Sequence, residues 1–463
     1  MSEVKLPEGW VKTSYGDLLL SASNGVGGVQ NKSGLGIPVS RIETIANGEV
    51  DFSRVGFLEH YDVEKIAKHK LNSGDILFSH INSPTHLGKT ALFTENVHEL
   101  YHGINLLRIV VNRELILPEI FNYHCKYSRA IGVFSLNAQH AVNQSSLNQK
   151  KLFSFVCNLP TIVEQKIIAD KLDILLAQVD STKVRLEQIP QILKRFRQAV
   201  LAAAVSGKMT KKWRKKNKIS SDWKSIQFLE LITKLRSGSG DTPSDNAFGV
   251  PILRSSAIRP QTINYEDVRY LSDEENLNED NYLKNGDLLF TRLSGSVDYV
   301  GSCALVKGLT KKYQYPDRLF CARLKDQRNA NYLEYFCSSN IFREHIIKSI
   351  KSSAGHQRIT LDAIRTAQIF IPDYLEQTEI VRRLEQLFAY ADGIEKQVQN
   401  ALERVNNLTQ SILTKAFLGE LTAQWRAENP DLISGENSAQ ALLAKIQQQR
   451  KNTKTIKRSK GNS

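Results

Sequence analysis

The chain has 463 residues, 41% of them hydrophobic and 24% charged, which is enough apolar material for two or more buried cores and argues against a disordered chain. Lys and Arg number 62 against 48 Asp and Glu, a net charge of +14, and that balance favours a polyanionic partner, nucleic acid before anionic membrane, over a small neutral ligand. No apolar run reaches the ~18 residues of a membrane span and the opening Met-Ser-Glu-Val lacks a basic and then apolar leader, so a cytoplasmic protein is expected.

Cys125, Cys157, Cys303, Cys321 and Cys337 include no CxxC pair, which argues against a disulfide framework or structural zinc and reads as reduced core thiols. Along the chain, the dominant feature is an internal repeat at an offset of 212 residues. Pro160-Thr-Ile-Val-Glu164-Gln165 matches Pro372-Asp-Tyr-Leu-Glu376-Gln377, and Gly207-Lys-Met-Thr210-Lys-Lys-Trp213-Arg214 matches Gly419-Glu-Leu-Thr422-Ala-Gln-Trp425-Arg426. Without a gap, 15 of the 55 positions from Pro160 to Arg214 are identical to their counterparts, which marks a duplication. The preceding segments echo each other more faintly. Gly9-Trp10 answers Asp222-Trp223, Ile37-Pro38-Val39-Ser40-Arg41 answers Val250-Pro251-Ile252-Leu253-Arg254, and the stretch Leu71 to Ser79 answers Leu283 to Thr291.

This order predicts five segments: a globular domain over 1–159, a helical spacer over 160–214, a second globular domain over 215–371, a second spacer over 372–426 and a basic tail over 427–463. In the globular parts, Asp75 to Phe78 and Asp287 to Thr291 follow Asn-Ser-Gly and Lys-Asn-Gly turns and read as strands of small mixed α/β domains. The fold class expected is therefore α+β, two mixed α/β domains with two long helices between them.

In the first spacer Leu172, Leu175, Val179, Thr182, Leu186, Ile189, Leu193, Phe196, Val200 and Ala203 recur at steps of three and four. In the second, Leu384, Leu387, Ala391, Ile394, Val398, Ala401, Val405, Leu408, Ile412 and Lys415 fall on the same template. An apolar repeat of ~3.5 residues held over four heptads is a coiled-coil seam and requires a partner helix. The other spacer is the nearest candidate, giving an antiparallel pair. Pro190 lies inside the first seam and should kink or interrupt that helix. A rod from Leu172 to Ala203 would be about 47 Å long, a scale at which two readers could meet one face of a duplex roughly one ~34 Å turn apart. A split target with two unlike halves is the expectation.

Phosphate-compatible charge collects at Lys208, Lys211, Lys212, Arg214, Lys215, Lys216 and Lys218, and again at Arg450, Lys451, Lys454, Lys457, Arg458 and Lys460. Reading bases requires Arg, amide, hydroxyl or imidazole side chains on presented loops. In the first domain the candidates are Arg41, Glu43, Ser79, His80, Asn82, Gln139, His140, Asn143 and Gln144. In the second they are Arg254, Ser255, Arg292, Ser294, His356, Gln357 and Arg358. Catalytic motifs do not emerge. There is no Asn-Pro-Pro-Tyr-type methyltransferase motif, and Gly25-Val-Gly-Gly28 is isolated. Ser206-Gly207-Lys208-Met209 lacks the upstream glycine and the hydroxyl of a phosphate loop, and Pro316-Asp317 and Pro372-Asp373 lack the acidic-x-Lys of a nuclease. No metal-ligand spacing is found, so neither catalytic nor metal-binding residues are assigned.

Several strings carry a family resemblance: Glu164-Gln165-Lys-Ile-Ile-Ala169, Leu175-Leu-Ala-Gln-Val-Asp180-Ser-Thr-Lys183, Gln188-Ile-Pro190 onward to Leu201, Val381 to Asp392, and Arg404 to Leu413 with Gly419-Glu-Leu-Thr-Ala-Gln-Trp425-Arg426. With these the chain resembles, over nearly its whole length, the specificity subunits of bacterial type I restriction-modification systems, in particular the enterobacterial K-type (type IA) family. The resemblance implies a non-catalytic subunit with two target recognition domains, each reading one half of a bipartite double-stranded DNA site. It also implies assembly with two methyltransferase and two restriction/translocation subunits in defence against foreign DNA. S-adenosylmethionine, Mg²⁺ and ATP would then be used by those partners, with no cofactor held by this chain. A self-sufficient restriction or modification enzyme and a protein-binding scaffold are the competing classes.

Overall fold

The computed structural model describes residues 6–83, 86–94, 99–141, 144–220, 222–246, 248–272, 277–353 and 356–448. Two compact units are found, residues 1–186 with 401–463 and residues 187–400. The first unit has a four-stranded antiparallel sheet in the order Leu19–Asn24, Leu107–Val111, Ile76–Phe78, Thr90–Leu92. The second repeats it with Ile232–Ser237, Leu319–Leu324, Leu288–Thr291, Cys303–Leu305. Both sheets carry a register shift at the same place, between Leu19 and Ser21 and between Ile232 and Lys234.

The turn before the central strand is built alike in both. Asp75 and Asp287 fold their carboxylates back onto the amides of Asn72 and Lys284, each at 2.9 Å, so the turn is closed locally before the apolar strand begins. The strands that follow are buried on both faces, which explains why they read as continuous apolar runs. All five cysteines are free and buried.

The long helices span Ile162–Val205 and Tyr374–Phe417, 44 residues each. Each unit takes half of both. In the first unit Leu172 and Val179, from the start of the first helix, share a core with Ile412, Leu413, Ala416 and Phe417 from the end of the second. In the second unit Val200, Leu201 and Ala204 share a core with Ile380 and Leu384. Start meets end in both, so the helices run antiparallel. Packing divides the chain differently from the five expected segments: it groups each globular segment with one half of the helix pair, and Ala439, Leu443 and Ile446 of the expected tail join the first core. Buried Leu, Phe and Val side chains of this kind contribute about 1.5–3 kcal/mol each.

Three local expectations are corrected. Pro190 does not interrupt the first helix, which continues to Val205; the proline is exposed, so water can satisfy the carbonyl that loses its amide partner. Leu408 is 46% exposed instead of buried in the seam. At this end the second helix turns its buried face to the globular domain, where Phe417 stacks on Tyr127 with ring centroids 5.4 Å apart, and a 3.6-residue helix drifts off a 3.5-residue stripe. Arg214 is no free member of a basic linker, because its side chain is 13% exposed and paired with Glu376.

That pairing belongs to a duplicated cluster. In the first unit the fully buried Glu164 accepts from Trp10 Nε1 at 2.7 Å, Thr422 Oγ1 at 2.6 Å and Arg426 Nη1 at 2.5 Å. In the second, Glu376 accepts from Trp223 Nε1 at 3.0 Å, Thr210 Oγ1 at 2.5 Å and Arg214. Each arginine also lies over its tryptophan, at 5.7 Å for Arg426 and 5.9 Å for Arg214. The partners are crossed: the glutamate at the head of one long helix is held by the segment that follows the other.

Candidate nucleic-acid interface

Each unit also carries a small three-stranded antiparallel sheet. In the first it pairs Ile81–Asn82, Gln144–Ser146 and Gln139–Ala141. In the second it pairs Leu293–Ser294, His356–Arg358 and Lys351–Ser353. The registers coincide: Asn82 faces Ser145, which faces His140, while Ser294 faces Gln357, which faces Ser352. Both triplets obey the 212-residue offset. The strand entering each sheet is tied in the same way, Leu147 N to His80 O at 2.8 Å and Ile359 N to Arg292 O at 3.1 Å.

These sheets gather half of the candidates, namely Asn82, Gln139, His140 and Gln144 in one and Ser294, His356, Gln357 and Arg358 in the other. Gln139, His356 and Arg358 are exposed, and Gln357 is half-buried and accepts from Ser352 Oγ at 2.6 Å. Asn143 lies outside the described residues, as do the basic residues from Arg450 onward. Ser79 and His80 are 1% and 6% exposed. Burial pushes the His80 imidazole below its usual range, and its Nδ1 has no hydrogen-bond partner among the described residues.

Arg41, Glu43, Ser79, Arg254 and Ser255 line a second feature, also duplicated. A cleft of about 330 Å³ is lined by Arg41, Glu43, Ser79, His86, Lys89 and Asn105. Its counterpart, about 420 Å³, is lined by Arg254, Ser255, Asp241, Arg269, Asp317 and Arg318. Arg41 reaches Glu43 at 3.4 Å. Arg254 donates to Asp245 at 2.7 Å, and Arg269 grips the same carboxylate with two bonds of 2.9 Å. These arginines hold Asp245 below the ordinary aspartate range, Arg269 most strongly. The loops bearing the clefts are fixed by glycines: a Cβ on Gly36 or Gly249, both at φ +100°, would meet the carbonyl oxygen of Leu58 or Leu271 at 2.2 or 1.9 Å.

Sequence reasoning missed Lys351 and Arg365, which border a further cleft together with Arg292 and Arg358. Aligning the small sheets would have found Lys351, because it lies directly opposite Arg358. Among the described residues no cluster of three or more His, Cys, Asp or Glu could hold a metal ion, and no helix is long and apolar enough to cross a membrane.

A twice-built frame with different polar residues on its loops and sheets defines a two-domain recognition protein. The comparisons place it in a family: the profile described as "Type I restriction modification DNA specificity domain" matches residues 7–191 and again 220–404. The chain is 43% identical over 466 residues to the EcoKI specificity subunit of Escherichia coli, covering 97% of both chains, and 39% identical over 468 residues to the StySPI specificity subunit of Salmonella potsdam, again covering 97% of both. It also shares its fold with the HsdS subunit of Thermoanaerobacter tengcongensis, with a TM-score of 0.55 and 17% identity over 90% of this chain and 99% of that one. A chain from a type I R-M complex gives a TM-score of 0.66 at 17% identity, over 89% of this chain and 98% of that one. The chain belongs to the type I restriction-modification specificity subunits, within their enterobacterial group.

Proposed function

We propose that the chain reads a split double-stranded DNA target, unit 1 taking one half and unit 2 the other, with an unread gap between them. The observation that carries this reading is the pair of small sheets, identical in register and different in side chains. Base edges are read by such side chains, while an unvarying frame sets where they are presented. Arg41, Glu43, Gln139, Arg254, Ser255, Ser294, His356, Gln357, Arg292 and Arg358 are the proposed contacts, with the backbone positions of Asn82, His140 and Gln144 on the same sheet. Ser79 and His80 support the loops from inside.

The chain itself is proposed to be non-catalytic and cytoplasmic. The helix pair would dock two methyltransferase subunits and, with them, two restriction/translocation subunits, which would use S-adenosylmethionine, Mg²⁺ and ATP. The test is selection of bound duplexes from a random pool by the chain co-expressed with its methyltransferase partner. Two unlike short motifs at a fixed gap are expected, and exchange of residues 1–159 for those of a relative should change one motif only. A single continuous motif, or changes in both halves, would refute independent readers.

A further inference from the structure

The two small sheets share a frame, so positions can be compared one by one. Arg292, Lys351, Arg358 and Arg365 in the second unit stand where His80, Gln139, Ser146 and Phe153 stand in the first. Three arginines and a lysine replace one buried imidazole, one amide, one hydroxyl and one ring. The four cations border a single cleft of about 470 Å³, with Asp362 as the one acidic residue on its wall.

Two of the four are engaged within the unit. Arg292 donates to the carbonyl of Asp317 at 3.1 Å and lies over the Phe320 ring, and Arg365 pairs with Asp362 at 3.2 Å. Arg358 and Lys351 are different. They are exposed, directly opposite each other on neighbouring strands, and neither side chain has a hydrogen-bond or ion-pair partner among the described residues. Like charges facing across a strand pair destabilise a sheet, so this pair is costly until an electronegative group lies between or above it.

The phosphate backbone is the same polymer at both halves of a DNA site. A contact serving phosphates alone gains nothing from being confined to one copy of a duplicated frame, whereas base-edge contacts must differ wherever the two halves differ. The base whose major-groove edge offers two acceptors, N7 and O6, to the fork of a guanidinium is guanine. We infer that the second unit reads guanine through Arg358, assisted by Lys351 across the strand pair, and that the first unit, with Ser146 and Gln139 at those positions, does not use this contact.

This inference rests on the DNA-reading function proposed above, and its test separates the two. Duplex selection is run with the full chain and its methyltransferase partner, for the parent, Arg358→Ala and Arg358→Gln. The parent should select guanine at a position in one half-site. Both variants should lose the preference at that position alone, by roughly 5- to 140-fold against the parent's best duplex, with the other half-site and the gap unchanged. The intact other motif reports that the variants are folded. Uniform weakening over all sequences with the motif unchanged, accompanied by a salt dependence shallower by about one unit of slope, would make Arg358 a phosphate contact and overturn the inference. A parent motif in which no guanine depends on Arg358 would also overturn it while leaving the two-reader function standing. Absence of any motif for the parent would remove the function and the inference together.

Discussion

Replacing Glu164 by Ala should separate the segment after the second helix from the first unit. The carboxylate has no exposed surface and accepts three donors, while Arg426 is only 12% exposed. Removing it leaves an almost buried guanidinium without its counter-charge, and breaking a buried pair in this way costs about 3–5 kcal/mol. Arg426 can fall back on Thr422 Oγ1 at 3.0 Å and the carbonyl of Gly419, which favours the lower end of that range. The loss is still a large share of the ~5–15 kcal/mol that holds a typical domain folded. The assay is denaturation followed by hydrogen exchange, with protection read at residues 162–172 and 419–428. A double-mutant cycle with Arg426→Ala should return a coupling of about 2–3 kcal/mol, and Glu376→Ala should reproduce the effect in the second unit, leaving protection around Glu164 intact. A cost below about 1 kcal/mol, or unchanged protection at 419–428, would show that the cluster is not what holds the segment.

Other outcomes are expected from single groups. Burial, then the charge of Arg108, lowers His102 to about 4, and burial lowers His124 to about 3; both rings are neutral in the fold and take up protons near pH 6.5 when unfolded, so stability is lost as pH falls below 6.5. Each should withdraw roughly 2 kcal/mol from the first unit between pH 7 and pH 5. Urea midpoints of that unit read by hydrogen exchange check this, and a flat profile over the interval would refute it. Pro190→Ala should raise stability by about 1–3 kcal/mol, because the residue is exposed inside a continuous helix; an unchanged denaturation midpoint would mean the helix is already broken there in solution. Gly249→Ala forces a Cβ to within 1.9 Å of the Leu271 carbonyl oxygen and should cost about 1–3 kcal/mol, seen as faster exchange around Val250 to Leu253.

The sequence made the duplication and the helix pair legible because both are written in local spacing: identities at one offset, apolar residues at three and four. It did not reveal the crossed clusters. Glu164 and Thr422 are 258 positions apart, and nothing near either residue says which copy of the Thr-x-x-x-Arg segment each glutamate receives. Among the candidate contacts, Arg254, Arg292 and Arg358 were chosen by side-chain type alone. Ser79 and His80 were expected on a presented loop, yet both are buried, and Leu147 N donates to the His80 carbonyl. Lys351 was missed because its relation to Arg358 exists only across strands. The 3.5-residue template mistook Leu408 for a seam residue because it takes no account of a globular neighbour at the helix end.

The crossed clusters also order events during synthesis. Every residue of the second unit lies between 187 and 400, so it can close once that stretch has left the ribosome. The first unit contains the earliest residues to emerge, yet its glutamate waits for Thr422 and Arg426, and its core for Leu443 and Ile446. At ~5–20 residues per second, Trp10 is exposed for roughly 20–80 s before its cluster can be completed. The half made first is therefore finished last, and through that interval an open apolar face on the nascent chain is the species that chaperones would meet.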